Sequence, residues 1–434
     1  MKAWCLLALL ALPTLASGHA AGDSTARYST LVVDANFFSR GEFRVGGLSE
    51  GNDNSMAGFI LGRSMLGINY ERPVLSARLT CQHSGTWGMG SGTLSVYEAW
   101  MQVRSGNGFF ARLGRQNLSY DDQRIFGSDD WAMTGRSHDV LKLGYEGHGH
   151  SVHLIGAWNQ NPENMNGNSF FTGGLQPYKA MQALWYHYDF QNFPLGASLM
   201  FMNVGMQGSG AESKTWQQQM MGTFVSLRPA GFYAEAAFYY QTGHDEHGIP
   251  ISAWMASAKA TANLGQYWKV RAGYDYLSGD SDFATPPVGM LGMVRKETVH
   301  GFSSIYGSHH KFYGAMDFFY VTTYYGGFTP GLQNLYAGGT WSPSPKISLD
   351  ASYHFLATAT KLKNAGMALG HEVETSFTYN IVKDARLGIG YTFMGGTETM
   401  VLLKRTDDRR RLHWAWIMLT ISPELFRHKT ALNK

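Results

Sequence analysis

Segments of roughly ten residues that alternate apolar and polar side chains recur from Phe37 to Ile421, and short and long connections strictly take turns between them. Alternation at period 2 gives each segment one apolar and one polar face. A chain built of such segments must present every apolar face to one medium and every polar face to another. The composition indicates which media. Only 15% of residues are charged, against roughly a quarter in soluble proteins, while 12 Trp, 23 Tyr and 25 Phe make the chain rich in aromatics. Beyond the first residues no apolar run reaches the ~18 residues a spanning helix needs. The pattern predicts an all-β protein: a single transmembrane antiparallel β-barrel with lipid outside and a wet lumen inside.

The chain divides accordingly. Residues 1–20 read as a signal peptide: Lys2 gives the positive start, Ala3 to Ala16 the apolar stretch, and Ser17-Gly18-His19-Ala20 a small-residue exit. Cleavage between Gly18 and Ala21 leaves a periplasmic segment, 21–36, the barrel, 37–421, and a C-terminal tail, 422–434. Cys5 leaves with the signal, so the mature chain keeps Cys81 alone and forms no internal disulfide. A formal net charge of +3 is too small to point to nucleic acid.

Eighteen strands fit the pattern: 37–47, 57–71, 74–84, 93–104, 108–118, 138–146, 149–160, 179–189, 195–207, 215–227, 231–242, 251–263, 266–277, 331–342, 346–358, 370–381, 385–397 and 411–421. The tight turns are an independent check. They fall at Arg72-Pro73, Gly106-Asn107, Gly147-His148, Gln191 to Pro194, Arg228 to Ala230, Leu264-Gly265, Pro343 to Pro345 and Val382 to Asp384, where Gly, Asn, Asp and Pro suit tight backbone conformations. An even count with short turns on one side and long loops on the other is the asymmetry of a bacterial outer-membrane barrel, with both termini periplasmic. Segment 278–330 is the exception. It reads as an outer loop folded over or into the barrel, and a further strand pair there, around the apolar run Phe312 to Tyr320, would make twenty.

Parity sorts the side chains. Phe232, Ala234, Ala236, Phe238 and Tyr240 face lipid, as do Trp268, Val270, Ala272, Tyr274 and Tyr276, and Ile347, Leu349, Ala351, Tyr353 and Phe355. The inward set of the first six strands includes Arg40, Glu42, Arg44, Arg63, Glu71, Arg78, Glu98, Arg104, Arg112, Lys142 and Glu146. Later strands add Glu235, Lys259, Lys269, Arg271, Asp275, Asp350, Glu372, Glu374 and Arg386. The first arc is net basic and the wall from 346 to 381 net acidic, which sets a field across the lumen. Two readings stand. The charges pair and close the lumen, or the Arg and Lys residues form an anion-selective lining, arginine suiting carboxylates through its planar fork.

Between strands five and six, Asp121, Asp122, Arg124, Asp129, Asp130 and Arg136 crowd one loop with Phe126 and Trp131. Two large aromatics among paired charges predict a loop that folds inward and narrows the pore. The spacing of its acids fits no defined calcium loop. The run Gly114-Arg115-Gln116, then Tyr120 to Gly127, Trp131 and Gly135-Arg136-Ser137-His138-Asp139 resembles the alginate export family of outer-membrane porins. Weaker agreement extends through His310 to Tyr320 and the close at Leu419 to Pro423. The resemblance implies an eighteen-stranded monomeric barrel in the bacterial outer membrane, with a constricted electropositive pore that passes a polyuronate outward. Arg115, Arg124 and Arg136 fall within the matching motif. Glu42, Glu71 and Glu98 among the basic residues depart from it, and acids at 372 and 374 would repel a polyanion nearby.

The sequence thus predicts a channel, not an enzyme, with no cofactor or metal. Its contacts would be the lipid bilayer and lipopolysaccharide, an anionic saccharide or small anion, and periplasmic export partners. The competing classes are a structural barrel with a closed lumen and a rim hydrolase using Asp129, Asp130 and His138.

Overall fold

The computed structural model describes residues 28–46, 56–159, 178–208, 214–281, 297–320, 329–362, 365–404 and 411–432. The expected signal peptide and residues 21–27 of the following segment lie outside the described residues. Strands β1 (Tyr28–Val45), β2 (Met56–Arg72), β3 (Leu75–Thr86), β4 (Gly92–Arg104), β5 (Phe109–Gln116) and β6 (His138–Gly147) form the first arc of the wall. The second arc is β7 (His150–Trp158), β8 (Ala180–Asp189), β9 (Leu195–Gln207), β10 (Thr215–Leu227), β11 (Phe232–His244), β12 (Pro250–Leu264) and β13 (Trp268–Leu277). The wall is completed by β14 (Leu332–Ser344), β15 (Ile347–Ala357), β16 (Ala368–Val382), β17 (Ala385–Gly396) and β18 (Arg411–Ile421), followed by a short segment, β19 (Glu424–Ala431).

Each strand pairs antiparallel with the next, and β1 closes on β18 through Phe37↔Ile421 to Val45↔His413. β19 is the continuation of that last wall position. It pairs with the lower part of β1, from Tyr28↔Ala431 to Asp34↔Glu424, after an irregularity at Ser422-Pro423. The barrel is therefore closed and eighteen-stranded. Its ends differ from the sequence reading: β1 begins nine residues before Phe37, and the expected tail contains a strand. Proline at 423 explains the break, since it cannot donate to the ladder.

Segment 278–330 adds no strand among its described residues. Phe312 to Tyr320 is irregular, preceded by one 3-10 turn at His309–Lys311, and eleven residues of 299–320 lie within the barrel's interior cluster or against it. The parity assignments of β11, β13 and β15 hold: Glu235, Ala237, Tyr239 and Gln241 are buried, whereas Phe232, Ala236 and Phe238 are exposed. Exposure here means lipid contact, so the core of this protein is its lumen.

The lumen is asymmetric. Inward side chains of β7 to β12, including Ile155, Met181, Met200, Met202, Met220 and Met255, are apolar and almost wholly buried. Those of β1 to β6 include Arg40, Glu42, Arg44, Arg63, Gln82, Gln102 and Lys142. An apolar inner arc has no place against water, so something of the protein's own must cover it.

The seam gives the direct test of closure. A Phe37→Cys/Ile421→Cys pair on a Cys81→Ser background joins two directly opposed, lipid-facing positions, whose Cα separation of ~4.5–5.5 Å suits a disulfide. Oxidation is expected to cross-link the folded barrel, so that the heat-denatured chain migrates as a closed loop on a gel. Cross-linking at Phe37→Cys/Leu419→Cys instead would mean a different closing register.

Candidate functional site in the barrel lumen

The cover is supplied by two connections that turn inward. The first joins β5 to β6, residues 117–137. The second comprises the described residues 297–320 between β13 and β14. They touch through a parallel bridge, Phe126↔Tyr306, with the two rings stacked at 5.8 Å. Among the described residues, six of the seven non-glycine positions with positive φ lie in them: Asp121, Gln123, Asp129, Ile305, Tyr313 and Asp317, the seventh being His148 in a tight turn. Such conformations persist only where the surroundings fix them.

Arg124 is the main fixture. It is 3% exposed, and its Nε donates to Asp122 at 3.0 Å and a terminal nitrogen to the Tyr313 hydroxyl at 2.8 Å. The other terminal nitrogen lies 3.0 Å from Asp275 of β13, an ion pair by distance whose Oδ1 makes no well-angled hydrogen bond. The guanidinium plane covers Phe312 at 4.0 Å. One cation thus ties the first loop to the second and both to the wall. Asp275 is held in turn by Asn334 of β14.

The remaining loop residues each meet the wall. Asp121 accepts hydrogen bonds from Trp185 and Ser198, and burial raises its carboxyl pKa. Asp129 pairs with Arg136 at 3.3 Å and receives, through its backbone N–H, the support of Ser308; burial raises its pKa too. Arg136 also donates to the Gly307 carbonyl. Asp130 accepts from Ser128. Trp131 stacks on His310 at 4.2 Å, meets Trp414 and Trp416 edge-on, and carries the Arg40 guanidinium on its face at 4.0 Å. The four acids therefore diverge to separate partners instead of converging on a cation.

Glu42 was expected as a stray acid in a basic arc. It is the centre of a buried cluster, accepting from Arg40, Arg44 and Trp414. Arg40 and Arg63 in turn donate to the carbonyls of Trp131 and Ala132. Glu372, which is buried, and Glu374, which is partly exposed, accept the backbone N–H groups of Met316 and Ala315. Gly314, at φ 93°, lies so close that a Cβ there would meet Glu372 Oε2 at 2.7 Å, which is why the chain turns on glycine.

Toward the tight-turn end, charges are mostly paired: Arg78 with Asp34 and Glu98, Arg104 with Glu146, Lys259 with Glu235, and Arg271 with Asp350. Arg115 corrects the sequence reading. Phe110, Arg112, Gly114 and Gln116 face inward, so Arg115 faces outward and pairs with Asp139 at the far end of the wall. The family-like motif overrode parity there. His138 bonds the Tyr178 hydroxyl and sits edge-on to Phe126 and Tyr306; no nucleophile bonds it among the described residues.

Arg63, held by the Ala132 carbonyl, has no carboxylate partner among the described residues, and three further cations stand apart. Arg112 and Lys142 face one another in register across β5 and β6, and among the described residues neither has a carboxylate within ion-pairing distance. Arg112 instead lies over Trp100 at 4.0 Å and donates to Gln102. Lys311, which the sequence reading passed over inside an aromatic run, is exposed on the second inner loop, and burial by its surroundings lowers its pKa. A polar cavity of about 230 Å³ remains between the first loop and β3–β4, lined by Gln82, Ser95, Asp129, Thr134, Arg136 and Ser137. Thr80 Oγ1, Gln82 Oε1 and Arg63 Nε on this side have no protein partner, as expected of groups that meet water.

The sequence profile of the alginate export family matches residues 93–368. A search of curated protein sequences finds no match. Among solved structures, OpdL of Pseudomonas aeruginosa superposes with a TM-score of 0.59 at 13% identity, over 92% of this chain and 99% of that one. OccAB1 of Acinetobacter baumannii gives 0.62 at 12% identity, over 91% and 97%. OccK11 (OpdR) of Pseudomonas aeruginosa gives 0.58 at 14% identity, over 92% and 96%. These likenesses concern the fold.

Two outcomes are expected of the inner loops. Arg124→Leu strands Asp122 and Asp275, costing about 3–5 kcal/mol of docking. Conductance and protease cleavage within 117–137 should both rise, and unchanged values would remove Arg124 as the fixture. His309, pushed down to about 4 by burial and by the Arg136 charge, gives the pH dependence. Its folded pKa lies below the unfolded value of ~6.5, so its contribution is complete above 6.5 and is lost as pH falls toward 4. Asp121 and Asp129 act in the opposite sense. The difference in Trp fluorescence titration between wild type and His309→Asn isolates the histidine: the variant should lose the acid-side weakening, and identical curves would refute it.

Proposed function

Because the chain belongs to the alginate export family and forms an outer-membrane channel barrel of bacteria, we propose that it is a passive, anion-selective conduit for anionic saccharides such as uronate oligomers, or for smaller carboxylates. The observation that carries this reading is the Arg112–Lys142 pair. Two lumenal cations stand directly opposite each other, and carboxylates of the kind that neutralise Arg78 and Arg104 beside them are absent from both among the described residues. Like charges held side by side in a partly buried wall are costly unless an anion joins them. A carboxylate passing along the β3–β6 side meets that need.

The route follows from the packing. The inner loops cover the apolar arc of β7 to β13 and reach β16, β18, β1 and β2, leaving the polar cavity beside β3–β4 above the two cations. Arg78, Arg104, Lys259 and Arg271 serve as paired wall struts in this reading, and Lys311 adds a free cation facing the lumen. The reading includes no catalytic step and no cofactor. Transport then runs down a gradient or is coupled through periplasmic partners, and one closed barrel acts alone.

The reversal potential of the purified barrel in a planar bilayer under a KCl gradient tests this. Anion selectivity, block by uronate oligomers, and a shift toward cations in Arg112→Glu/Lys142→Glu are expected. Arg78→Gln, which removes a cation already neutralised, should move selectivity much less. A conducting pore unmoved by the double reversal would displace these residues from the route. A silent barrel would favour the closed-lumen reading, which the density of ion pairs at Glu42 and Arg124 supports.

A further inference from the structure

The lipid-facing wall is uneven on one side. Register aligns Gly339, Ala351 and Thr375 in a row across β14, β15 and β16. The row beside it, nearer the tight turns, is Trp341, Leu349, Phe377 and Ile389. Tyr391 closes the small row on β17. Large side chains thus wall a floor of small ones. Thr375 turns its hydroxyl down onto the Tyr391 carbonyl, leaving its methyl to the floor. The result is an apolar furrow of about 430 Å³ on the outer face, with Trp268 and Trp341 at one end.

Nothing in the strand requires glycine at 339. A Cβ there would meet the Lys269 carbonyl at 3.4 Å, an ordinary contact, whereas at the neighbouring Gly338 it would strike the Ala351 carbonyl at 2.6 Å. The furrow is open because of a missing side chain that the barrel itself does not need to omit.

Trp268 begins β13, directly after the tight turn, and stacks near Trp341 at 6.0 Å. That places the pair at the periplasmic membrane interface, where tryptophan prefers to sit. Neither indole N–H has a protein acceptor among the described residues. Below them, the turns β14–β15 and β16–β17 each expose a lysine, Lys346 and Lys383. Lys346 lies about three strand positions, ~10 Å, below the Trp341–Leu349 row.

We propose that this furrow seats one anionic glycerophospholipid of the inner leaflet: an acyl chain along Gly339–Ala351–Thr375, the ester region at the two indoles, and the phosphate by Lys346 and Lys383. The occupant follows from location and charge. The furrow opens into hydrocarbon, its foot is at the periplasmic headgroup level, and that foot carries two indole N–H donors and Lys346, with Lys383 farther out beside Asp384 and Glu424. Bulk lipid is as apolar as the furrow, so hydrophobicity alone gives no preference. Selectivity comes from shape-matched dispersion contacts and from the polar foot.

Native mass spectrometry of the full barrel, extracted from vesicles of mixed phosphatidylglycerol and phosphatidylethanolamine, tests the proposal. Wild type should retain one phospholipid, with phosphatidylglycerol preferred. Gly339→Leu/Ala351→Leu, which fills the floor, should lower retention of both about tenfold. Lys346→Gln/Lys383→Gln should abolish the preference while keeping the adduct. Heat-shifted gel mobility verifies folding, and Thr375→Phe gives a second way to fill the furrow should the double variant not fold. Equal retention in a folded, filled variant would overturn the seat. A retained second barrel in place of lipid, lost on filling, would overturn it in favour of an oligomer face.

Discussion

A buried cation with three anchors holds the lumen together. Arg124 reaches Asp122 in its own loop, Tyr313 in the other loop and Asp275 on the wall, while its flat face covers Phe312. A charge placed so deep is unfavourable alone, and its loss would leave two stranded carboxylates. That cost is what makes the arrangement specific: an arginine displaced by one position satisfies none of these partners. The unusual backbone at Asp121, Gln123, Tyr313 and Asp317 then follows as the conformation that brings Asp122, Arg124 and Tyr313 to one point.

The second tier is aromatic. Arg40, held by Glu42, presents its plane to Trp131, which stacks on His310, whose Nδ1 lies 2.7 Å from Asp317. This chain of contacts crosses the lumen from β1 to the second inner loop and reaches β18 through Trp414. Charges that resemble a selectivity lining in the sequence are here the ends of struts.

The barrel was legible because period 2 and turn chemistry are local properties. Ten or so residues of alternation cannot slip by one without inverting every face, and apart from the start of β1 the wall strands accordingly match within a few residues, β9, β10 and β18 without any shift. The inward turn of 117–137 was legible from Phe126 and Trp131 among charges. What sequence did not carry was pairing. Parity reports that Arg40, Arg78 and Arg112 face inward, and it sets Glu42 beside Arg40 on the same face of β1, yet only the register brings Arg78 to Asp34 and sets Arg112 against Lys142. Arg115 was misplaced because a motif was allowed to outrank alternation. The strand at Glu424–Ala431 was missed because Pro423 reads as an end, and Lys311 because one lysine in an aromatic run carries no period.

Pairing also explains why counting arginines is a poor guide to what a barrel of this kind passes. The inner loops adhere where the wall is apolar, along β7 to β13, because burying methionine and aromatic surface is what stabilises them there. The polar cavity accordingly lies on the opposite arc, beside β3 and β4. Within that arc, each arginine that meets a carboxylate is removed from the field a solute feels, and each that does not remains in it. In the proposed route that remainder is Arg112, Lys142 and Lys311. On that proposal, one carboxylate moved next to Lys142 would alter selectivity more than removing several of the struts.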